Sequence, residues 1–173
     1  MALILGIDPG SRLTGYGIIN ALGNRLEYVT CGCIRLPDVD HPQRLKQIFD
    51  SLGSIIEKHA PQECAIEEVF LGKSVSSALK LGQARGSAIV ACMHYDLPVA
   101  EYSARKVKQA LVGKGGAEKA QVQHMVKVLL GVTGDFQEDA ADALAIAICH
   151  ANTKASLLKI AGARSFRNSR LQH

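Results

Sequence analysis

The chain has 173 residues, of which 47% are hydrophobic and 21% charged, with 20 Lys and Arg against 16 Asp and Glu. This size and composition are typical of one globular domain with an apolar core. No apolar run reaches the ~20 residues that a membrane-spanning helix needs, and the start MALILGIDPG lacks the basic region of a signal peptide. We therefore expect a cytoplasmic protein that has no contact with a membrane.

The first third of the chain predicts three strands and a helix. Residues 2–8 are apolar and end at Asp8, and two alternating segments, 14–20 and 26–36, flank the turn at 22–25. These three strands form a predicted antiparallel meander. Apolar residues at helical spacing follow until Pro61, namely Leu45, Ile48, Phe49, Leu52, Ile55 and Ile56.

The rest of the chain alternates strands and helices. A fourth strand is predicted at 64–70, a helix rich in Ser and Ala at about 75–95, and a fifth strand at 98–102. Helices at 103–112 and 117–130 flank the break Gly113-Lys-Gly-Gly116, and another begins near Asp135. The order β-β-β-α-β-α-β-α-α-α predicts an α/β fold of the ribonuclease H-like type, with a mixed five-stranded sheet flanked by helices.

The basic charge is concentrated in two places. Residues 154–173 carry five Lys or Arg and no acid, so we predict a ribonuclease H-like domain at 1–153 and a basic, flexible tail at 154–173. Such a tail either touches nucleic acid or is a solvated end, and the sequence leaves both open. The second set has only one acid within it and favours a polyanionic partner: Arg105, Lys106, Lys108, Lys114, Lys119 and Lys127.

Five cysteines occur with no C-x-x-C pair. Without a secretory signal they are interpreted as reduced, mostly buried residues. Because the spacing does not fit a zinc finger, we predict no zinc site. The residues concerned are Cys31, Cys33, Cys64, Cys92 and Cys149.

Acidic residues stand in three separate predicted elements, which is the pattern of a Mg²⁺ site built from hard oxygen ligands. Asp8 ends a buried strand, where ligands of α/β sheets collect, although it could also cap the Pro9-Gly10 turn. Glu67 and Glu68 are neighbours on a strand and point to opposite faces, so only one can join Asp8. Strand alternation alone does not choose between them.

In the last predicted helix, Asp135 and Glu138 fit a capping box, which would account for Glu138. Asp139 and Asp142 are three residues apart and share one helical face. An aspartate on the second turn of an apolar helix is costly without a cation, so Asp142 favours a metal.

Two further residues, Lys119 and Phe70, each allow two interpretations. Lys119 follows a Gly-rich break at the start of a helix, where phosphate is bound favourably, but a surface ion pair is the commoner role of such a lysine. Phe70 follows the acidic strand and either packs in the core or stacks on an unpaired base. From the residues alone the core interpretation is favoured.

Several motifs together resemble the bacterial RuvC-type Holliday junction resolvases, in order from residue 1 to about 152. They are ILGIDPGSRLTGYG, AIEEVF, SALKLGQARG, VKQALVGKGGAEKAQV and EDAADALAIA. The resemblance implies a ribonuclease H-like homodimer that nicks two strands of a four-way DNA junction symmetrically and works with a branch-migration helicase complex. The tail after Lys154 matches poorly, so nothing is transferred to it.

The resemblance also implies roles for single residues. Asp8, Glu67, Asp139 and Asp142 match the family's catalytic carboxylates and would hold two Mg²⁺ ions, for which Mn²⁺ is a substitute, with Asp8 as the shared ligand. Lys108 and Lys119 match lysines near the scissile phosphate, and Lys119 is expected to neutralise it. Phe70 matches an aromatic residue near the junction centre. With their basic neighbours Arg105 and Lys114, these three residues are the predicted DNA-binding residues.

Three other functions compete with this prediction. Asp8-Pro9-Gly10 with Thr14 resembles the phosphate loop of actin-like and sugar-kinase-like ATPases, but 173 residues are too few for their two domains and no Walker A motif is present. A ribonuclease H-like enzyme acting on structured RNA would share the fold. A junction-binding module without catalysis would share the basic surface but need no metal.

Overall fold

A computed structural model describes residues 2–23, 25–69 and 74–169, with side chains up to residue 160. Its strands are β1 (Ala2–Asp8), β2 (Leu13–Leu22), β3 (Arg25–Arg35), β4 (Glu63–Glu67) and β5 (Val99–Tyr102). Its helices are α1 (His41–His59), α2 (Val75–His94), α3 (Ala104–Val112), α4 (Lys119–Leu130) and α5 (Glu138–Ser169). The order and type of these elements confirm the prediction from the sequence.

The strands form one mixed sheet in the order β3-β2-β1-β4-β5. The first three strands are the predicted antiparallel meander, and β4 runs parallel to both β1 and β5. In the centre, Ile7 of β1 pairs with Tyr16 on one side and Ile66 on the other. The carboxyl ends of β1, β4 and β5 therefore meet at one edge of the sheet, as expected for a ribonuclease H-like fold.

Apolar side chains cover both faces of the sheet because β1 alternates between them. On one face Leu5 and Ile7 pack with α1 and α2 residues such as Ile48. On the other face Ile4 packs with α4 and α5 residues such as Leu144. The sheet is thus the middle layer of three, with α1 and α2 on one side and α3, α4 and α5 on the other.

Polar side chains fix where most helices begin. Asp40, Ser74 and Ser103 each accept a hydrogen bond from a backbone N–H in the first turn of α1, α2 and α3. Helix α4 begins two residues later than predicted, because Glu118 and Gln121 form a reciprocal capping box there.

Helix α5 begins at Glu138, three residues after the predicted start near Asp135, and continues to Ser169. The predicted domain boundary at residue 153 therefore falls within this helix, and the separate role of the tail stays a prediction. No helix in the described ranges is long and apolar enough to cross a membrane.

Candidate active site

Asp8 and Glu67 end two neighbouring parallel strands at the same edge of the sheet. Ile7 pairs with Ile66 in the β1–β4 register, so the two acidic residues follow directly after one register pair. Both are half-buried, whereas Glu68 is exposed to solvent. Of the two adjacent glutamates, the structure thus brings Glu67 rather than Glu68 next to Asp8.

Three glycines allow α5 to lie directly on β1 and β2. A Cβ atom on Gly6 would stand 2.0 Å from the carbonyl oxygen of Ala143, and one on Gly15 would stand 2.0 Å from that of Asp139. A Cβ on Gly17 would stand 2.7 Å from the side chain of Leu144. Gly6 pairs with Gly17, and Gly15 pairs with Asp8. This glycine platform (Gly6, Gly15 and Gly17) brings the first turns of α5 to the acidic edge of the sheet.

The acids before and at the start of α5 differ from the predicted arrangement. Asp135 lies outside the helix and forms an ion pair with Lys127 of α4 at 2.6 Å, so the predicted capping box with Glu138 is wrong. Glu138 instead pairs with Lys119. Asp139 and Asp142 occupy the first and second turns of the helix, as predicted, and their charges act on Asp8.

The charges around Asp8 disfavour its ionised form. Burial, followed by repulsion from Glu67, Asp142 and Asp139, raises the pKa of Asp8 from 3.8 to about 8, and Lys119 opposes this only in part. Burial and the charge of Asp142 likewise raise the pKa of Glu67. The four carboxylates thus form one electrostatic cluster with more negative charge than its surroundings neutralise.

Lys119 of α4 is the cation closest to this cluster in the described structure. Its Nζ atom lies 2.7 Å from Asp142 Oδ2 and also contacts Glu138. Burial alone would lower the pKa of Lys119, but its hydrogen bonds to Asp142 and Glu138 raise it above its usual value. Burial raises the pKa of Asp142 even so, although Lys119 acts to lower it. This lysine is therefore positively charged at any physiological pH.

A cavity of about 170 Å³ opens beside the carboxylates. It is lined by Glu67 and Asp142 together with Lys108 and Lys119, and its floor is apolar, with Val107, Val122 and Ile146. The charge of Lys108 opposes in part the rise in the pKa of Glu67 that burial and Asp142 cause. The two lysines predicted to lie near a phosphate thus face the same space as two of the four acids.

The other predicted DNA-binding residues lie further out. Arg105 is exposed, and its side chain passes over Gly115, where a Cβ would be 2.7 Å from Arg105 Cγ. Lys114 is exposed in the turn between α3 and α4. Neither lines the cavity. Phe70 lies outside the described residues.

The four carboxylates suit divalent metal ions as ligands, both by their charge and by their oxygen atoms. The carboxylates of Asp8, Glu67, Asp139 and Asp142 supply only hard oxygen atoms, and their mutual repulsion is what a bound cation would relieve. Among the described side chains, no group of three or more Asp, Glu, His or Cys residues is already drawn together as a metal cage. Asp142 is instead held by Lys119.

Two contributors to the site were missed in the sequence. Arg85 of α2 donates from Nε to the Glu67 carbonyl oxygen at 3.0 Å and pairs with Glu101 of β5, which anchors the end of β4. No local pattern marks this residue. The glycine platform was also missed, but Gly15 and Gly17 are spaced to lie on one face of a strand, and this spacing could have predicted a closely packed element.

Comparisons with known proteins identify the family of this chain. The model of the family described as crossover junction endodeoxyribonuclease RuvC matches residues 4–150. Two proteins of that name are similar along nearly all of both chains. That of Saccharophagus degradans is 60% identical, covering 99% of each chain, and that of Teredinibacter turnerae is 62% identical, covering 98% of this chain and 99% of the relative.

A solved structure is similar as well. The Thermus thermophilus RuvC structure in complex with a Holliday junction substrate superposes with a TM-score of 0.85 and 30% identity, covering 90% of this chain and 96% of that one. A second Thermus thermophilus RuvC structure gives a TM-score of 0.80 at 32% identity, covering 87% and 93%. The chain therefore belongs to the RuvC family of crossover junction endodeoxyribonucleases.

Proposed function

We propose that this protein resolves four-way DNA junctions by paired, symmetric nicks in DNA recombination and repair, and that Asp8, Glu67, Asp139 and Asp142 are its catalytic carboxylates. The observation that carries the proposal is the convergence of these four acids, from β1, β4 and α5, beside Lys108 and Lys119. Family membership supports the choice of a junction as the substrate.

The four carboxylates would hold two Mg²⁺ ions, for which Mn²⁺ would be a substitute. When bound, the ions supply Lewis acidity to the attacking water and to the leaving 3′ oxygen of an in-line displacement. Raised pKa values of Asp8, Glu67 and Asp142 support this assignment, since a cation would favour their ionised forms.

Lys119 and Lys108 bind and orient the DNA in this proposal. The ammonium group of Lys119, which lies beside Asp142 at the cavity, would neutralise the phosphate undergoing attack. Lys108, which also lines the cavity, holds the neighbouring part of the backbone. Arg105, Lys114 and Phe70 extend the DNA contact beyond the cavity. The products are ends with a 5′-phosphate and a 3′-hydroxyl.

The protein acts as a homodimer in this proposal, because two symmetric cuts need two active sites. An exposed apolar stripe on α2 supports it: Val75, Leu79, Val90 and Met93 are between 53% and 72% exposed. At 3.6 residues per turn they lie on one side of the helix together with Gly82 and Gly86. A Cβ on either glycine would meet open space, so a second helix could approach closely.

Other parts of the proposal rest on the family resemblance. The protein works in the cytoplasm with a branch-migration helicase complex, and residues 1–153 form the nuclease domain. The segment from residue 154, which begins within α5, is the basic tail of the proposal, and its five Lys and Arg without an acid support this.

A symmetric four-way junction, incubated with and without Mg²⁺ and with its cut positions mapped, tests the proposal. The adjacent glutamates offer a matched pair. Glu67→Gln should bind the junction and fail to cut it, whereas Glu68→Gln should cut at the parental rate because Glu68 is exposed. Asp8→Asn should behave as Glu67→Gln does.

The competing functions are tested with the same preparations. Equal cleavage of structured RNA would favour the ribonuclease alternative, and ATP hydrolysis would revive the ATPase alternative. Junction cutting by Asp8→Asn as fast as by the parent protein would refute the catalytic assignment.

A further inference from the structure

A second basic cleft lies on the other face of the sheet from Lys108 and Lys119. This α1–α2 cleft is lined by Ser11, Arg12, His41, Arg44, Ser77 and Lys80, and has a volume of about 270 Å³. It is formed by the loop after β1, the start of α1 with the residue Val39 before it, and the first two turns of α2. Neither the carboxylate cluster nor the predicted DNA-binding residues contribute to it.

The cleft has an excess of positive charge. The residues that line it include two arginines, a lysine and a histidine but no carboxylate. The guanidinium group of Arg44 donates to Asp38 Oδ1 at 2.9 Å and to the Val39 carbonyl oxygen at 3.0 Å. The side chain of Asp38 is fully exposed to solvent and does not line the cleft. Arg12 and Lys80 have no ion pair with any described side chain, and the residues outside the described ranges include no Asp or Glu.

The donors of the cleft suit a phosphate group. A guanidinium group presents a planar fork of N–H donors that matches phosphate oxygens. The hydroxyl groups of Ser11 and Ser77 add neutral donors at the same cleft. His41 Nε2 lies 2.6 Å from Gln83 Oε1 and is used in that hydrogen bond, so the arginines, Lys80 and the two hydroxyl groups are the donors that a phosphate would meet.

The cleft is close to the edge of the sheet at which Asp8 and Glu67 lie. Arg12 follows Asp8 by four residues, so an extended chain could separate the two by at most about 14 Å. Along one strand of DNA this distance corresponds to about four nucleotides at ~3.4 Å each. A nucleic acid whose scissile phosphate lies at Asp8 therefore has other phosphates within reach of the cleft.

We propose that the α1–α2 cleft binds a backbone phosphate of the DNA within about four nucleotides of the scissile bond, on the side opposite to Lys108 and Lys119. This inference rests on the proposed function for the identity of the nucleic acid. The DNA is thus held from both faces of the sheet, with the carboxylates between the two sets of cations. Arg12 and Lys80 supply the charge, and Arg44 is the positioned donor.

Binding of a fluorescent four-way junction, measured by anisotropy in EDTA between 50 and 200 mM salt, tests this site without cleavage. We expect Arg12→Gln and Lys80→Gln each to raise Kd about 5-fold. Their combination should reduce the slope of log K against log salt by about 0.9, the value for one lost phosphate contact. Lys80→Arg keeps the charge and should retain the parental slope.

Lys58→Gln is the matched control. Lys58 is an exposed lysine near the other end of α1, about 25 Å along the helix from His41. It should leave Kd and slope unchanged, and all variants should keep the parental Tm and elution volume. At saturating junction with Mg²⁺, Lys58→Gln should also cut at the parental rate, because Lys58 lies in neither the cleft nor the cavity beside the carboxylates.

The failure of this inference and the failure of the proposed function give different results. Parental cleavage combined with unchanged Kd and slope in the Arg12→Gln/Lys80→Gln double variant overturns the phosphate site alone. Loss of affinity for polyaspartate rather than for DNA also overturns it, since the cleft would then bind an acidic protein segment. A lowered slope in a protein that never cuts junctions supports the phosphate site and refutes the proposed function.

Discussion

Gly15 of β2 lies so close to Asp139 of α5 that a single added methyl group would stand 2.0 Å from the Asp139 carbonyl oxygen. Gly15→Ala must push the start of α5 away from the sheet, and with it two of the four acids. We expect a loss of about 1–3 kcal/mol in the free energy of unfolding. Because a displacement of about 1 Å at a catalytic group can cost ~10²-fold, cleavage should fall by a similar factor.

Chemical denaturation and single-turnover cleavage measure these two effects. Gly116→Ala is the control, since a Cβ there would meet open space. Its stability should be parental or slightly higher. If Gly15→Ala kept both stability and cleavage, the close packing of α5 on β2 would be wrong.

The electrostatics of Asp8 predict how stability depends on pH in the absence of metal. The pKa of Asp8 is raised to about 8 in the folded protein, against about 4 in an unfolded chain. The folded state therefore holds a proton that the unfolded state releases, and stability falls as the pH rises through this interval. Asp8→Asn abolishes this cost and should be about 1–3 kcal/mol more stable than the parent at pH 8 in EDTA.

The advantage of Asp8→Asn should disappear near pH 4, where the parent carboxyl is protonated in the folded state. Thermal unfolding at both pH values measures it, with Asp50→Asn as the control because Asp50 is exposed and its partner is Lys46, far from the carboxylate cluster in sequence. A variant less stable than the parent at pH 8 would contradict the cost of holding an ionised Asp8 in a buried position among other carboxylates.

Mg²⁺ or Mn²⁺ should stabilise the parent protein and not the variant that lacks a ligand. A cation bound only by the folded state raises stability by RT ln(1 + [L]/Kd), which is about 2.7 kcal/mol at 100 Kd. We expect Tm to rise with Mn²⁺ in the parent and in Glu68→Gln, but far less in Asp8→Asn and Glu67→Gln. A rise of equal size in all four proteins would place the cation elsewhere.

Lys119 is expected to act on the chemical step rather than on folding. Removing a charged donor from a reacting phosphate typically costs ~10²–10³-fold in rate, so Lys119→Gln should lose this much at saturating junction. Lys127→Gln, which removes a surface partner of Asp135, should cut normally. Cleavage by Lys119→Gln within a few-fold of the parental rate would limit Lys119 to its ion pairs with Glu138 and Asp142.

The exposed stripe on α2 predicts the oligomeric state. Val90→Glu places a charge on this stripe and should convert a dimer into a monomer, as measured by light scattering after size exclusion. Val128→Glu makes the same change at a similarly exposed site on α4 and should remain dimeric. A parent protein that is monomeric at micromolar concentration would refute this assembly.

The acidic residues at strand ends were predictable because strand ends are local features. Asp8 and Glu67 follow apolar runs, and parallel strands bring their ends together wherever the fold is α/β. The choice between Glu67 and Glu68 was not local, since it depends on which face of β4 receives α5. In the sequence, only the resemblance to the family indicates Glu67.

The interpretation of Asp135 and Glu138 failed for a related reason. Their spacing fits a capping box, but Lys127 and Lys119 of α4 attract both side chains, and a pattern within four residues contains no information on a neighbouring helix. The α1–α2 cleft could not be predicted from local sequence either, because its residues come from three separate segments of the chain. Local spacing predicts the elements, and tertiary contacts decide the partners of the charges.

Helix α5 extends from the carboxylate edge through a run of buried Ala, Leu and Ile residues to His150, whose ring joins Tyr102 and Glu63 by hydrogen bonds of 2.8 and 2.7 Å. The helix cannot slide or turn without breaking these bonds or colliding with the glycine platform. Asp139 and Asp142 are therefore held in place as firmly as the side chains of the hydrophobic core. The cleavage rate should therefore depend on how tightly α5 packs in the core. A substitution near His150, about 15 Å from the acids, that loosens α5 is expected to slow cutting before it unfolds the protein.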